Sequence, residues 1–115
     1  MASTNWKKLY GPIVAAGTGA VDLYTSPANV STVITKFSIS NVTGTAATGT
    51  ITITPSGGAA AQVWQKVVPG YPTLGGVIEV AELEGQILAA GDKITFTAGT
   101  GNALAPMISG VQYTQ

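Results

Sequence analysis

Strict alternation of apolar and polar residues is what most restricts this chain. Thr50-Ile51-Thr52-Ile53-Thr54 alternates without a break, and so does Lys93-Ile94-Thr95-Phe96-Thr97. From Val33 to Ser40 the odd positions read Val33, Thr35, Phe37, Ile39 and the even ones Ile34, Lys36, Ser38, Ser40. Val21 and Leu23 share a face opposite Asp22 and Tyr24. A period of two puts one face of an extended strand on a core and the other toward solvent or a partner. The β-branched Thr, Val and Ile that dominate these runs suit a pleated surface.

Turn residues divide the runs. Gly17-Thr18-Gly19, Ser26-Pro27-Ala28-Asn29, Thr43-Gly44-Thr45, Pro55-Ser56-Gly57-Gly58, Pro69-Gly70-Tyr71-Pro72, Gly75-Gly76, Gly91-Asp92 and Gly99-Thr100-Gly101-Asn102 are all breakers. They predict strands near 9–15, 19–25, 31–42, 48–55, 62–68, 77–83, 92–98 and 105–114. Short strands at this spacing indicate an all-β, single-domain antiparallel β-sandwich of about eight strands, jelly-roll-like in form. Residues 1–8 are mostly polar, with Trp6 their one large aromatic group, and read as an N-terminal arm, with 9–115 as the sandwich domain. Two places leave choices. Val80, Leu83, Ile87 and Leu88 also fit a helical stripe, so 78–89 is either strand or short helix, with Gly85 opposing a long one. Gly110 interrupts the alternation between Ile108 and Val111, which predicts a bulge there.

Composition removes most chemistry. The 115 residues include no His and no Cys, and the five Lys are balanced by five acids, with no Arg. Without Cys there is no disulfide, thiolate nucleophile or Cys-based metal site. Without His the commonest general base and metal ligand is missing. A neutral chain lacks the basic footprint that nucleic-acid binding needs. No run approaches the ~20 apolar residues of a membrane span, and Gly11-Pro12 breaks any signal-like layout behind Lys7 and Lys8. No cofactor, metal, nucleic acid or membrane partner is expected. A chain of this length buries roughly two-thirds of its unfolded surface, enough for one core without staples.

The five acids, Asp22, Glu79, Glu82, Glu84 and Asp92, offer paired carboxylates of the kind glycosidases use. Their plainer reading is a solvated edge that discourages unwanted strand pairing. A Ca²⁺ site would need an Asp-rich loop, and none is present. Gly57-Gly58 and Gly99-Thr100-Gly101 lack phosphate-loop spacing and read as turns. Asn29-Val30-Ser31 and Asn41-Val42-Thr43 match the glycosylation sequon by chance in a Thr-rich chain. The rank Thr50, Thr52, Thr54 suits a wet strand face, and one rank alone is not an ice-matching array. Trp6, Leu9, Tyr10, Trp64 and Tyr71 are the candidate partner-interface residues. Trp64 in its strand is a core or interface residue before it is a sugar platform, while Trp6 lies outside the expected strands. Only 9% of residues are charged, against roughly 25% in an average domain. Such a surface favours homo-oligomers.

The order of several pieces resembles small β-sandwich virion proteins of tailed bacteriophages. These are Leu23-Tyr24-Thr25-Ser26-Pro27-Ala28, Ser40-Asn41-Val42-Thr43, Thr50 through Gly58, Leu88-Ala89-Ala90-Gly91-Asp92-Lys93-Ile94 and Ile108-Ser109-Gly110-Val111. The resemblance spans roughly residues 20–113. It implies a non-enzymatic structural or accessory role, decorating a capsid or associated with head or tail, in the virion assembled in a bacterial cytoplasm. It also implies a homo-oligomer, with a trimer favoured, whose other partners are capsid or tail proteins. The alternative is a carbohydrate-binding module or adhesin that stacks a glycan on Trp64 or Tyr71. An enzyme built on Glu79, Glu82 or Glu84 is disfavoured.

Overall fold

The computed structural model describes residues 3–70 and 76–114. Nine strands lie within them. They are β1 (Ser3–Tyr10), β2 (Val21–Thr25), β3 (Val30–Asn41), β4 (Ala47–Thr54), β5 (Ala61–Val68), β6 (Val77–Glu79), β7 (Ile87–Leu88), β8 (Lys93–Ala98) and β9 (Leu104–Thr114). One sheet has the order β1-β9-β3-β6, with β7 also on β3; the other runs β2-β8-β4-β5. All pairs are antiparallel.

The pairing is nested. β1 pairs with β9, β2 with β8, β3 with β6 and β7, and β4 with β5. An eight-strand ribbon folded back on itself and wrapped into two sheets gives this order, which is the jelly roll. The count reaches nine because β6 and β7 are one interrupted strand. Both run along β3, and between them a 3₁₀ turn at Ala81–Leu83 loops out. Val80 N–H donates to Phe37 O and Gly85 N–H to Ile34 O, so the excursion stays tied to β3. Both readings of 78–89 thus hold in part, and Leu83 inserts into the core from the turn.

The first strand differs from expectation. It spans Ser3–Tyr10 rather than 9–15, so residues 3–8 are an edge strand on β9 and not a free arm. Their polar side chains hid this, because an edge strand covered by nothing needs no apolar face.

The bulge also differs. Gly110 sits in an unbroken β9, and both neighbours carry the extra residue instead. Register shifts at Thr35 on β3, beside the Ser109–Gly110 step, and at Leu9 on β1, beside the Ile108–Ser109 step. The shift at Thr35 exchanges the faces of β3. Thr32 and Ile34 are buried before it, and Phe37, Ile39 and Asn41 after it. Val33, which simple alternation groups with Phe37, therefore faces outward.

Between the sheets lie Ile34, Phe37, Ile39, Ile51, Ile94, Phe96, Leu104 and Ile108, all fully buried. Gly49 makes room for Phe96, whose Cε1 lies 3.1 Å from where a Cβ would stand. The exposed area is 5871 Å², close to the ~5,800 Å² expected of a compact monomer of this mass. The core closes without help from a partner.

Candidate interaction surface

Cross-strand register assigns each sheet's outer face. On the β2-β8-β4-β5 sheet it is a threonine face. Thr50 stands opposite Thr97 and Thr52 opposite Thr95, so the rank on β4 has a second rank beside it on β8. Gln65 Nε2 donates to Thr50 Oγ1 at 3.0 Å, and Lys93 pairs with Asp22 at 3.5 Å. Val63, the extra residue of a bulge, and Val67 are exposed on the β5 edge.

The outer face of the other sheet carries what the alternation concealed. Trp6 stands opposite Val111, Val111 opposite Val33, and Val33 opposite Ile87. These four residues form one apolar row across β1, β9, β3 and β7. Val111 is buried yet absent from the core cluster, as an outward residue flanked by strands would be. Trp6 is 75% exposed at one end of the row and Ile87 67% exposed at the other. Tyr113 and Met107 are exposed on the same face, to either side. The exposed apolar side chains of this face, Trp6, Ile87, Tyr113 and Met107, make it the candidate interaction surface.

The expected interface residues separate. Trp6 is at the surface. Leu9 and Tyr10 are half-buried and pack on the core, with Tyr10 opposite Ile108. Trp64 is corrected to a core residue, with only 5% of its surface exposed, because it stands opposite Ile51 on the inner face. Tyr71 lies outside the described residues. Ile87, Val33 and Val111 were missed. The bulge at Thr35 leaves no direct mark on β3, and the only hint is the glycine facing it.

Each of the five carboxylates makes a contact within the fold. Glu79 pairs with Lys36 at 2.7 Å, and Asp22 with Lys93. Glu82 Oε2 accepts from Lys66 Nζ at 2.6 Å, while Oε1 accepts from Trp64 Nε1 at 3.1 Å. The Lys66 ammonium sits 5.9 Å from the Trp64 ring centroid, within cation–π range. Lys66 and a backbone N–H hold the Glu82 carboxyl below the usual carboxylate range. Glu79 correspondingly holds the Lys36 ammonium above its ordinary value. Glu84 Oε2 lies 3.4 Å from Phe37 N–H. Asp92 accepts from Ser56 N–H and Ala89 N–H, both at 2.9 Å.

The motifs that suggested a family prove structural here. Gly91, at φ +85°, has Ser56 Oγ 2.7 Å from where its Cβ would lie, so the Gly91-Asp92 turn fits only without a side chain. That turn joins two loops: Gly91 N–H donates to Ser26 O, Ser26 N–H to Asp92 O, and Asp92 caps Ser56. Asn41 is 2% exposed. Its Nδ2 donates to Thr45 O and Val68 O, and its Oδ1 accepts from Thr43, so this sequon builds a turn rather than displaying a glycan acceptor.

Beside β1, an open cleft of about 400 Å³ is lined by Lys8, Leu9, Tyr10, Gly11, Pro12 and Ile13. Its walls hold no carboxylate. Among the described residues no group of three or more His, Cys, Asp or Glu could hold a metal ion.

No family model matches this chain, and no curated protein matches it. Solved structures do. A chain from the work titled "Bacillus endospore appendages form a novel family of disulfide-linked pili" is similar over 99% of this chain and 87% of its own, with a TM-score of 0.53 and 14% identity. At that identity the likeness shows a common fold. A chain of the infectious bursal disease virus Gt strain aligns over 98% of this chain and 30% of its own, at 14% identity and a TM-score of 0.33, too low to bear on the argument.

Proposed function

We propose that this chain is a structural subunit of an assembled particle, and more narrowly a virion accessory protein of a tailed bacteriophage that decorates the capsid or joins head or tail. The apolar row Trp6–Val111–Val33–Ile87 carries this reading. It lies on a finished sandwich whose core does not need it, so its burial is left to another molecule. Near-zero net charge removes the repulsion that would keep copies apart. The likeness in fold to a pilus chain agrees with a building-block role. The phage assignment rests on the motif order from Leu23-Tyr24-Thr25 to Ile108-Ser109-Gly110-Val111.

Assembly does not run through a disulfide of the kind named for the pili, since the sequence has no cysteine. A non-catalytic role is supported by the five acids, each of which is occupied in an ion pair or a backbone contact. The glycan alternative loses its main platform with Trp64 in the core.

Immunogold labelling tests the narrower reading. An antibody to this chain is applied to phage particles released by the bacterium that encodes it. Label on heads or tails is expected. Label confined to material free of particles contradicts a virion role.

A further inference from the structure

The two edges of the β1-β9-β3-β6 sheet are unlike, and they complement each other. Strand β1 carries Lys7 and Lys8, both exposed, and neither makes an ion pair among the described residues. The opposite edge, β6 through β7, carries Glu79, Glu82 and Glu84. Glu84 makes no ion pair there either; it meets the Phe37 N–H at 3.4 Å and acts on the Lys36 charge only at longer range. Among the described residues the unpaired lysines therefore sit on one edge of the sheet and the unpaired Glu84 on the other, while Asp92, the other carboxylate without an ion pair, is held by backbone N–H groups in its turn.

The apolar row is split in the same way. Trp6 ends it on β1 and Ile87 ends it on β7. The charges follow in register. Lys8 is level with Ser109 and Lys36, and across β3 that level falls between Ile87, opposite Val33, and Glu79, opposite Ser38. Glu84 lies in that interval, beside Phe37.

Strand direction fits as well. The order β1, β9, β3, β6/β7 alternates in direction, so β7 runs opposite to β1. A second copy whose β1 lies alongside the first copy's β6/β7 edge continues the antiparallel sheet. It places Trp6 beside Ile87 and Lys8 level with Glu84. The two-fold alternatives are worse. Joining β1 to β1 brings the unpaired lysines of both copies together, and joining β6/β7 to β6/β7 brings the unpaired Glu84 of one copy to that of the other. Like charges opposed across strands destabilise the pair.

We infer that copies of this chain join head to tail, the β1 edge of one against the β6/β7 edge of the next, with Trp6 and Ile87 at the centre of the contact. Such a contact is heterologous, so it closes into a ring or propagates as a filament according to its rotation. The inference rests on the self-assembly proposed above and specifies its geometry.

Mixing two edge variants tests it. Trp6→Asp disables one edge and Ile87→Asp the other, at positions where exposure keeps the fold intact, as circular dichroism melting confirms for each. Sedimentation velocity is run on the wild type, on each variant, and on an equal mixture. The expected result is an assembled wild type, two monomeric variants, and a mixture that recovers a species of twice the protomer mass through its one intact contact. A mixture that stays monomeric means that one contact needs both residues of each copy, and one variant that stays assembled while the other is monomeric means that like edges pair; either result overturns the head-to-tail geometry. Variants that assemble as the wild type does place the contact elsewhere, and overturn this inference while sparing self-assembly. A monomeric wild type removes both.

Discussion

Leu9 occupies the space over Gly110. Its Cδ1 lies 2.8 Å from where a Cβ on Gly110 would stand, and the Val33 carbonyl oxygen lies 2.6 Å from the same point. Both neighbouring strands bulge at this level, at Leu9 and at Thr35. The missing side chain lets two strands crowd one residue, and the crowding turns Val33 outward.

Gly110→Ala is therefore expected to destabilise the fold by about 1–3 kcal/mol, the usual cost of overpacking. The oxygen is backbone and has little room to retreat. Gly110→Ala with Leu9→Ala remains destabilised, because the Val33 carbonyl is still in place. Gly19, with nothing within 4 Å of its Cβ position, is the control, and Gly19→Ala stays near wild type. Urea denaturation midpoints check all three.

A one-way hydrogen-bond chain crosses one end of the core. Gln112 Nε2 donates to Tyr24 OH at 2.7 Å, and Ser26 Oγ donates to Val30 O at 2.8 Å. Those two ends fix the middle: Tyr24 donates to Thr32 Oγ1 at 2.8 Å, and Thr32 donates to Ser26 Oγ at 3.0 Å. Thr32→Val keeps the shape but removes both an acceptor and a donor, at an expected cost of ~1–3 kcal/mol. With Tyr24→Phe in a double-mutant cycle, a coupling of ~0.5 kcal/mol or more is expected. Additive losses contradict the chain.

Asp92→Ala releases Ser56 N–H and Ala89 N–H together. A loss of about 1–2 kcal/mol is expected for charge-assisted bonds in a partly exposed turn. Asp92→Asn retains an acceptor and recovers part of it. Faster amide hydrogen exchange at Ser56 and Ala89 in the Ala variant is the site-specific check.

Glu82 gives an acid-side signal. Its folded pKa is lowered by Lys66 and a backbone N–H. Its contribution is therefore present above the unfolded carboxylate pKa and is lost as pH falls through the folded value. Protonation also loosens the Trp64 indole contact. In a Trp6→Phe background, Trp64 emission is expected to step on acidification below the usual carboxylate range. Glu82→Gln removes that step.

The layered β architecture was legible because Ile51, Ile53, Ile94 and Phe96 alternate without interruption on strands buried on one face. The jelly-roll order was legible only as a class, from strand number and turns. Three features were not. Residues 4–8 of the edge strand β1 are exposed on both sides, so they carry no alternation to read. The bulges at Leu9 and Thr35 lie on the strands flanking Gly110, and the glycine marks the spot without saying which strand yields. The apolar row depends on that choice, since Val33 joins Val111 and Ile87 only after β3 changes face. Trp64 was read correctly as a strand residue. Its place in the core followed from facing Ile51, a pairing that no local pattern specifies.

Native mass spectrometry of the untagged wild-type chain over a concentration series tests self-assembly most directly. Multiples of the 11.5 kDa protomer are expected, gaining population with concentration and lost in Trp6→Asp. A single 11.5 kDa species at every concentration would contradict it.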